Sequence, residues 1–305
     1  MNIQKMFTTI DTHVAGEAFR IVTQSSITLD ENDILGNHEL LQRNFQNEKQ
    51  FLLNEPRGHR GMNGCMVIPS SVADYALLFF NHESEIQFKY GGLITTITAL
   101  LETGNIPVNE NNRYEIETVE GIFTIQAAFE NNEVTAVSLK SNECRLLEEH
   151  VEYSLVDVDN RRRYYVYSLP ASLPGLHLDH LSSVMKWGKN ITEKMRNENT
   201  AFAGVIITDS VDNSVDTIRS VTFERDGSIV RSPGIDSTFA IHTTLLNKKP
   251  VDQLRNYSIF DSTLTSKSIN DSNTCFTMES QAFVTGMHQF IYDQADPLEN
   301  GFLLK

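Results

Sequence analysis

Two segments of the chain share one plan. Tyr90-Gly91-Gly92-Leu93 runs into an apolar stretch over 94–101, and Ser232-Pro233-Gly234-Ile235 runs into another over 236–246. A turn that opens a helix leaves the first N–H groups without intrahelical partners. These groups hold anions and lower the pKa of an acidic side chain placed there. The titratable residues at the two turns are Tyr90 and Asp236, with His242 farther along the second stretch. Such residues support proton transfer at a small molecule, with Tyr90, Gly92, Leu93, Ile235, Asp236 and Ser237 lining its site. Gly91 and Gly234 sit at the centre of the turns and bring no titratable group.

Each of these residues has a plainer reading. An aromatic residue before a turn, such as Tyr90, more often packs than reacts. Asp236 fits an N-cap for a helix beginning at Ser237. As a pocket residue it would repel a ligand carboxylate about 4 Å away by roughly 4 kcal/mol. His242, inside a helix, is expected to be partly buried. Cys65 lies in the apolar run Gly64-Cys65-Met66-Val67-Ile68 and reads as a buried, inert thiol. Glu17, Arg20, Glu55 and Arg57 read as ion pairs, and His13 and His59 as loop-fixing residues.

The elements that must position these turns are mostly short strands. β-branched and aromatic runs at 7–9, 18–23, 64–68, 75–80, 114–118, 123–128 and 134–139 are separated by Asn, Asp, Glu and Gly. Helical spacing marks 34–45, and Glu102-Thr103-Gly104 stops the buried helix over 93–101. The second half repeats the plan. A helix spans 177–195, strands lie at 204–208 and 220–223, and a buried helix over 237–246 ends before Pro250. Strands follow at 257–260 and 280–285. Gly91 and Gly234 are separated by nearly half of the 305 residues, which points to a duplicated unit. The boundary is expected where charges cluster at Asp157–Arg163, giving domains 1–158 and 159–288.

Composition narrows the classes of function. The net charge is −15, from 25 Lys and Arg against 40 Asp and Glu. That surface repels phosphate backbones and anionic lipid, so neither nucleic acid nor membrane is an expected partner. No stretch reaches the ~20 apolar residues of a membrane span, and Met1–Phe7 lacks the apolar core of a signal peptide. Cys65, Cys144 and Cys275 are few and widely spaced, without metal-ligand spacing. They fit reduced thiols in a cytoplasmic protein.

Four motifs in register complete the reading. They are Asp11-Thr12-His13-Val14-Ala15-Gly16-Glu17 with Arg20-Ile21-Val22, Glu55-Pro56-Arg57-Gly58-His59 with Met62 and Gly64, Arg231-Ser232-Pro233, and Ala295-Asp296-Pro297-Leu298 with Gly301-Phe302. Together they resemble the proline racemase superfamily, which includes hydroxyproline epimerases and trans-3-hydroxyproline dehydratase-like proteins. The resemblance implies an α+β fold of two pseudo-symmetric domains. Each is a β-barrel-like mixed sheet around a central helix, diaminopimelate epimerase-like, and segment 289–305 returns to the first domain. It also implies a small molecule in the cleft between domains and chemistry without a cofactor. A homodimer is compatible with it.

The chain departs from that family at the reacting positions. The family's first turn reads Met-Cys-Gly-His, and here the matching residues are Tyr90, Gly91, Gly92 and Leu93. Its second turn reads Asp-Arg-Ser-Pro-Cys-Gly-Thr-Gly-Thr, and here the stretch from Val230 to Thr238 has Gly234 at the cysteine and Ile235-Asp236-Ser237 at the Gly-Thr-Gly cradle. One thiol removes an α-proton and the other returns it on the opposite face. Losing acid–base help costs about 10²–10⁴-fold per group. The expectation is a family protein without racemase or epimerase activity that binds a ligand or regulates. One alternative is a cofactor-independent isomerase or lyase acting on an amino-acid-like or cationic substrate through another acid or base. A second is a structural or partner-binding protein.

Overall fold

The structure is a computed structural model that describes residues 5–30, 32–82, 88–211, 214–269 and 274–304. Its elements in chain order begin with β1 (Lys5–Val14), β2 (Glu17–Gln24), α1 (Ile34–Asn44), α2 (Gln46–Leu53), β3 (Met62–Ile68), β4 (Tyr75–Phe80) and α3 (Tyr90–Glu102). Next come β5 (Arg113–Thr118), β6 (Gly121–Glu130), β7 (Glu133–Lys140), β8 (Cys144–Glu149), β9 (Tyr153–Val158) and β10 (Arg162–Ser168). A 3-10 turn at Leu178–His180 leads into α4 (Leu181–Asn197), β11 (Gly204–Ser210), β12 (Thr217–Glu224) and α5 (Ile235–Lys248). The chain closes with β13 (Gln253–Tyr257), β14 (Thr263–Ser268), β15 (Phe276–Ser280) and β16 (Ala282–Tyr292).

The chain divides into two compact units. The first comprises Met1–Val14, Ala18–Leu139 and Gln281–Lys305; the second comprises Ala15–Glu17 and Lys140–Ser280. The division falls at Leu139/Lys140 and not at 158/159. The expected boundary lies in the β9–β10 hairpin, whose charged turn residues reach the start of α5. The return to the first unit begins at Gln281, ahead of the expected 289.

Each unit has eight strands and one buried helix. In the first the order is β16-β1-β2-β3-β4-β5-β6-β7, and in the second β15-β14-β13-β12-β11-β10-β9-β8. Starting from β7, the pairs are antiparallel, antiparallel, parallel, antiparallel and parallel, and the last pair, β1–β16, is antiparallel. From β15 the pairs follow the same sequence and also end antiparallel at β9–β8. The pseudo-symmetry expected from the two glycine turns is therefore present in the strand pairing. Within the described residues no pairing closes either run of strands, so the sheets stay open instead of forming barrels.

Helices α3 and α5 are the buried centres of their units. In α3 only the final residue, Glu102, is not buried. Two of the three threonines buried there are accommodated because the hydroxyl finds a carbonyl one turn back: Thr95 to Gly91 and Thr98 to Ile94, both at 2.9 Å. Helix α5 does the same with Thr238 to Gly234 at 2.7 Å and Thr243 to Phe239 at 2.8 Å. Helix α3 packs on β1, β6 and β16, and α5 on β8, β9, β10, β13 and β14.

Two strand expectations shift. The strand expected over 257–260 instead ends at Tyr257, because Ser258 Oγ accepts from Phe260 N and Ser262 N and turns the chain. The strand expected over 280–285 splits between β15 and β16. The C-terminal motif is held in the first unit by Glu55, which exchanges backbone bonds of 3.0 and 2.9 Å with Phe302.

Candidate functional site

At the start of α3, Tyr90, Gly91, Gly92 and Leu93 are all buried. Tyr90 is 0% exposed, with its ring centroid 4.9 Å from Phe88 and 5.7 Å from Phe123. It is a core aromatic, which removes it as the acid of an open site. A side chain at Gly92 would meet Phe79 at 2.4 Å and the Sγ of Cys65 at 3.0 Å. The glycine thus lets β3 and β4 approach the first turn of α3 closely, and it sets the Cys65 thiol against that turn. Leu93 is also fully buried.

At the start of α5 the N-cap is Gly234, at φ 71° and ψ 126°. This combination is nearly reserved for glycine, because a Cβ would clash with the chain. Here the Cβ would lie 3.0 Å from Ser237 Oγ. A buried polar chain holds the turn. Gly234 N donates to Ser232 Oγ at 3.0 Å, and Thr222 Oγ1 donates to Ser237 Oγ at 2.8 Å. Asn256, fully buried, donates to Thr238 Oγ1 at 3.0 Å and to Pro233 O at 3.4 Å while accepting from Ser220 Oγ at 2.9 Å.

Asp236 is not the N-cap; it lies in the first turn of α5 and accepts from Arg162 Nη1. Arg162 Nη2 in turn donates to Asp159. All three side chains are at most 8% exposed. The carboxylate expected to repel a ligand anion is therefore matched by a guanidinium within the fold. Ile235 is fully buried, and Ser237 is bound to Thr222.

His242 is also unavailable as a catalytic base. Its Nε2 is 2.7 Å from Val251 O and its Nδ1 is 2.8 Å from Ser266 Oγ. A carbonyl only accepts, so Nε2 carries the proton and Nδ1 accepts from the serine. Burial holds the imidazole below its usual pKa, and the neutral form is the one that fits these bonds.

The remaining candidates are structural. Arg20 forms a two-pronged pair with Asp11 at 2.8 and 2.6 Å and also donates to Leu52 O. Arg57 donates to Phe51 O at 2.8 Å and to Glu299 O at 2.7 Å, lies over the Phe51 ring, and pairs with Asp296 at 3.6 Å. The partner of Arg20 is thus Asp11, and Arg57 serves the C-terminal segment. His13 packs on Phe283, and His59 accepts from His82 through its carbonyl. Cys144 is buried, and loss of solvation pushes its thiol well above the ordinary range. Among the described residues no group of three or more His, Cys, Asp or Glu is arranged to hold a metal. No helix among them is long and apolar enough to cross a membrane.

Asp159, Arg162 and Asn256 were not among the sequence candidates. Arg162 was visible only within the charged run read as a boundary. Nothing in the one-dimensional pattern tied it to a residue 74 positions away.

The comparisons agree with this architecture. A family model described as proline racemase matches residues 9–303. A trans-3-hydroxy-L-proline dehydratase from Bacillus thuringiensis subsp. konkukian is 30% identical across 100% of both chains. A proline racemase from Clostridioides difficile is 25% identical, also across 100% of both. The crystal structure of a hydroxyproline epimerase from Agrobacterium vitis, with bound trans-4-hydroxy-L-proline, superposes with a TM-score of 0.83 at 21% identity. It covers 100% of this chain and 96% of that one.

Proposed function

Because the chain belongs to the proline racemase family, we propose that it has left the family's two-thiol chemistry and binds a small molecule in a sensing or regulatory role, without racemase or epimerase turnover. The observation that carries this reading is Gly234. The family resemblance puts a cysteine there, whereas this backbone adopts φ 71°, where an L side chain is strained. Gly91 likewise brings no side chain to the first turn of α3. Asp236 is paired with Arg162, His242 is bonded at both nitrogens, and Tyr90 is packed among phenylalanines. None of the three replaces a missing acid or base.

The test is α-proton exchange in D₂O, followed by NMR, with L-proline and the 3- and 4-hydroxyprolines at high protein concentration. Exchange at the buffer rate, together with saturable binding of a small molecule in a thermal-shift screen, is the expected result. Exchange well above that rate overturns the reading.

One observation favours a second reading, a lyase or isomerase that works with a single thiol. Cys65 Sγ lies against the first turn of α3, where a helix dipole stabilises thiolate. The dehydratase relative makes this worth separating. The side chain is 0% exposed, which weighs against it. Exchange or dehydration that disappears in Cys65→Ser would establish it.

A further inference from the structure

The first unit ends in a strand edge that the proposed function leaves unused. Strand β16 stands at the end of the strand order, and among the described residues β1 is its one strand partner. Its 11 residues contain no Asp, Glu, Lys or Arg, although the chain has 25 Lys and Arg and 40 Asp and Glu. Strand β8 holds the same terminal place in the second unit. It is shorter, at 6 residues, and carries Arg145, Glu148 and Glu149. Short, charged edges resist pairing with another chain, whereas a long uncharged edge invites it.

One face of β16 is held and the other is bare. Phe290 and Tyr292 pack on Phe51 of α2, with ring centroids 6.3 and 5.4 Å away. Met287, Gln289 and Ile291 alternate with them and are exposed, Met287 at 62%. The pairing with β1 sets Met287 beside Ile10, Gln289 beside Thr8 and Ile291 beside Met6, itself 45% exposed. The row therefore reads apolar, polar, apolar on both strands and carries no charge. It is symmetric about Gln289. The register shift at Asp11/Thr12 limits the row on the N-terminal side of Met287.

The complement of such a row is the row itself. Two identical strands paired antiparallel are related by a two-fold axis, so one patch serves both copies and the assembly closes at two. We propose that two copies of this chain pair through their β16 edges, antiparallel about Gln289, and so form a two-fold dimer. The axis sets Met287 against Ile291 of the second copy and Gln289 against its own counterpart. On the held face His288 meets Phe290. Sliding the strands by two residues would set Met287 against Gln289, and sliding by one would set it against Phe290 of the held face. Charge acts in the same direction. Two chains that each carry −15 repel, and an uncharged edge is where they meet at least cost. None of the residues weighed for the candidate site lies in this row, so the inference stands apart from the small-molecule reading.

The test is sedimentation velocity of the full chain across a concentration series. The parent should run at twice the mass of the single chain. Gln289→Lys changes an exposed residue and sets two ammonium groups against each other, so it should weaken the dimer about a hundredfold. Met287→Lys and Ile291→Glu should each weaken it about tenfold alone. An equimolar mixture of those two should recover the dimer, because the axis opposes position 287 of one copy to position 291 of the other. A parent that is monomeric at every concentration overturns the proposal. So does a parent dimer that Gln289→Lys leaves unchanged, which would place the interface elsewhere. A mixture no more associated than its two components overturns it too, as does assembly beyond two copies. If Gln289→Lys lowers the folded fraction, the mixture decides.

Discussion

Arg162 and Asp236, 74 residues apart, form a buried ion pair at the first turn of α5, and Arg162 shares its other prong with Asp159. The pair joins the β9–β10 hairpin to the helix whose start the family resemblance marks as reactive. Removing one partner of a buried pair costs far more than the pair itself contributes, because the other charge is stranded.

Arg162→Met should therefore destabilise the chain by about 3–5 kcal/mol, since it leaves two buried carboxylates without their guanidinium. Asp236→Asn leaves the Arg162–Asp159 pair in place and should cost about 1–2 kcal/mol, near the loss of one hydrogen bond to a charged group. Urea unfolding of the two variants measures the difference. Equal costs would mean that Arg162 is not held between both acids.

Gly234→Cys restores the residue type that the resemblance places there. It should not restore proton exchange with L-proline. It should also lower stability by about 1–3 kcal/mol, because a side chain at this φ is strained and meets Ser237. A stable variant with racemase activity would refute this account of the turn.

His242 gives a pH dependence whose sign is determined by its burial. Its folded pKa lies below the unfolded value near 6.5. The unfolded chain then binds the proton first, so the contribution is fully present above about pH 6.5 and is lost as pH falls through the lower folded value. Denaturation of the parent and His242→Gln between pH 5 and 8 should show the parent's advantage shrinking on the acid side. A constant difference would contradict a buried neutral imidazole.

Arg57 ties the C-terminal motif to the end of α2. Arg57→Lys keeps the charge but cannot donate to Phe51, Leu298 and Glu299 at once. The variant should lose about 1–3 kcal/mol, and limited proteolysis within 295–304 should accelerate. Unchanged cleavage would mean that the Glu55–Phe302 backbone pairing holds the segment alone.

Lys49 is 4% exposed, its ammonium has no hydrogen-bond partner among the described residues, and burial lowers its pKa. Lys49→Met should leave the fold intact and stabilise it by about 1 kcal/mol at neutral pH, since an unpaired polar group leaves the interior. Destabilisation of similar size would show that the ammonium is better solvated than its burial indicates.

Much of the fold was legible because its signals are local. Helices α3 and α5 were readable as buried from apolar runs with threonine and from their stop residues. Strand β4 matched its expected span from Tyr75 to Phe80 because six consecutive apolar residues leave little alternative. Helix α2 was missed because Gln46 to Gln50 is polar throughout, and only packing against the first unit buries Glu48 and Lys49. Strands β8 to β10 were missed because many of their outward residues are charged or tyrosine, so the Asp157–Arg163 run read as a boundary. In the fold, alternation sends Arg163 outward and Arg162 inward.

The sequence by itself determined the family, the duplicated plan and the absence of a side chain at Gly91 and Gly234, since these rest on residue type and order along the chain. Only the tertiary structure decided the state of the residues around those glycines. The pairing of Asp236 with Arg162, the bond of His242 to Ser266 and the packing of Tyr90 against Phe123 all join residues far apart in sequence. The charge and reactivity of a side chain depend on such neighbours, through desolvation and pairing, and neighbours brought together by folding leave no periodic trace in one dimension.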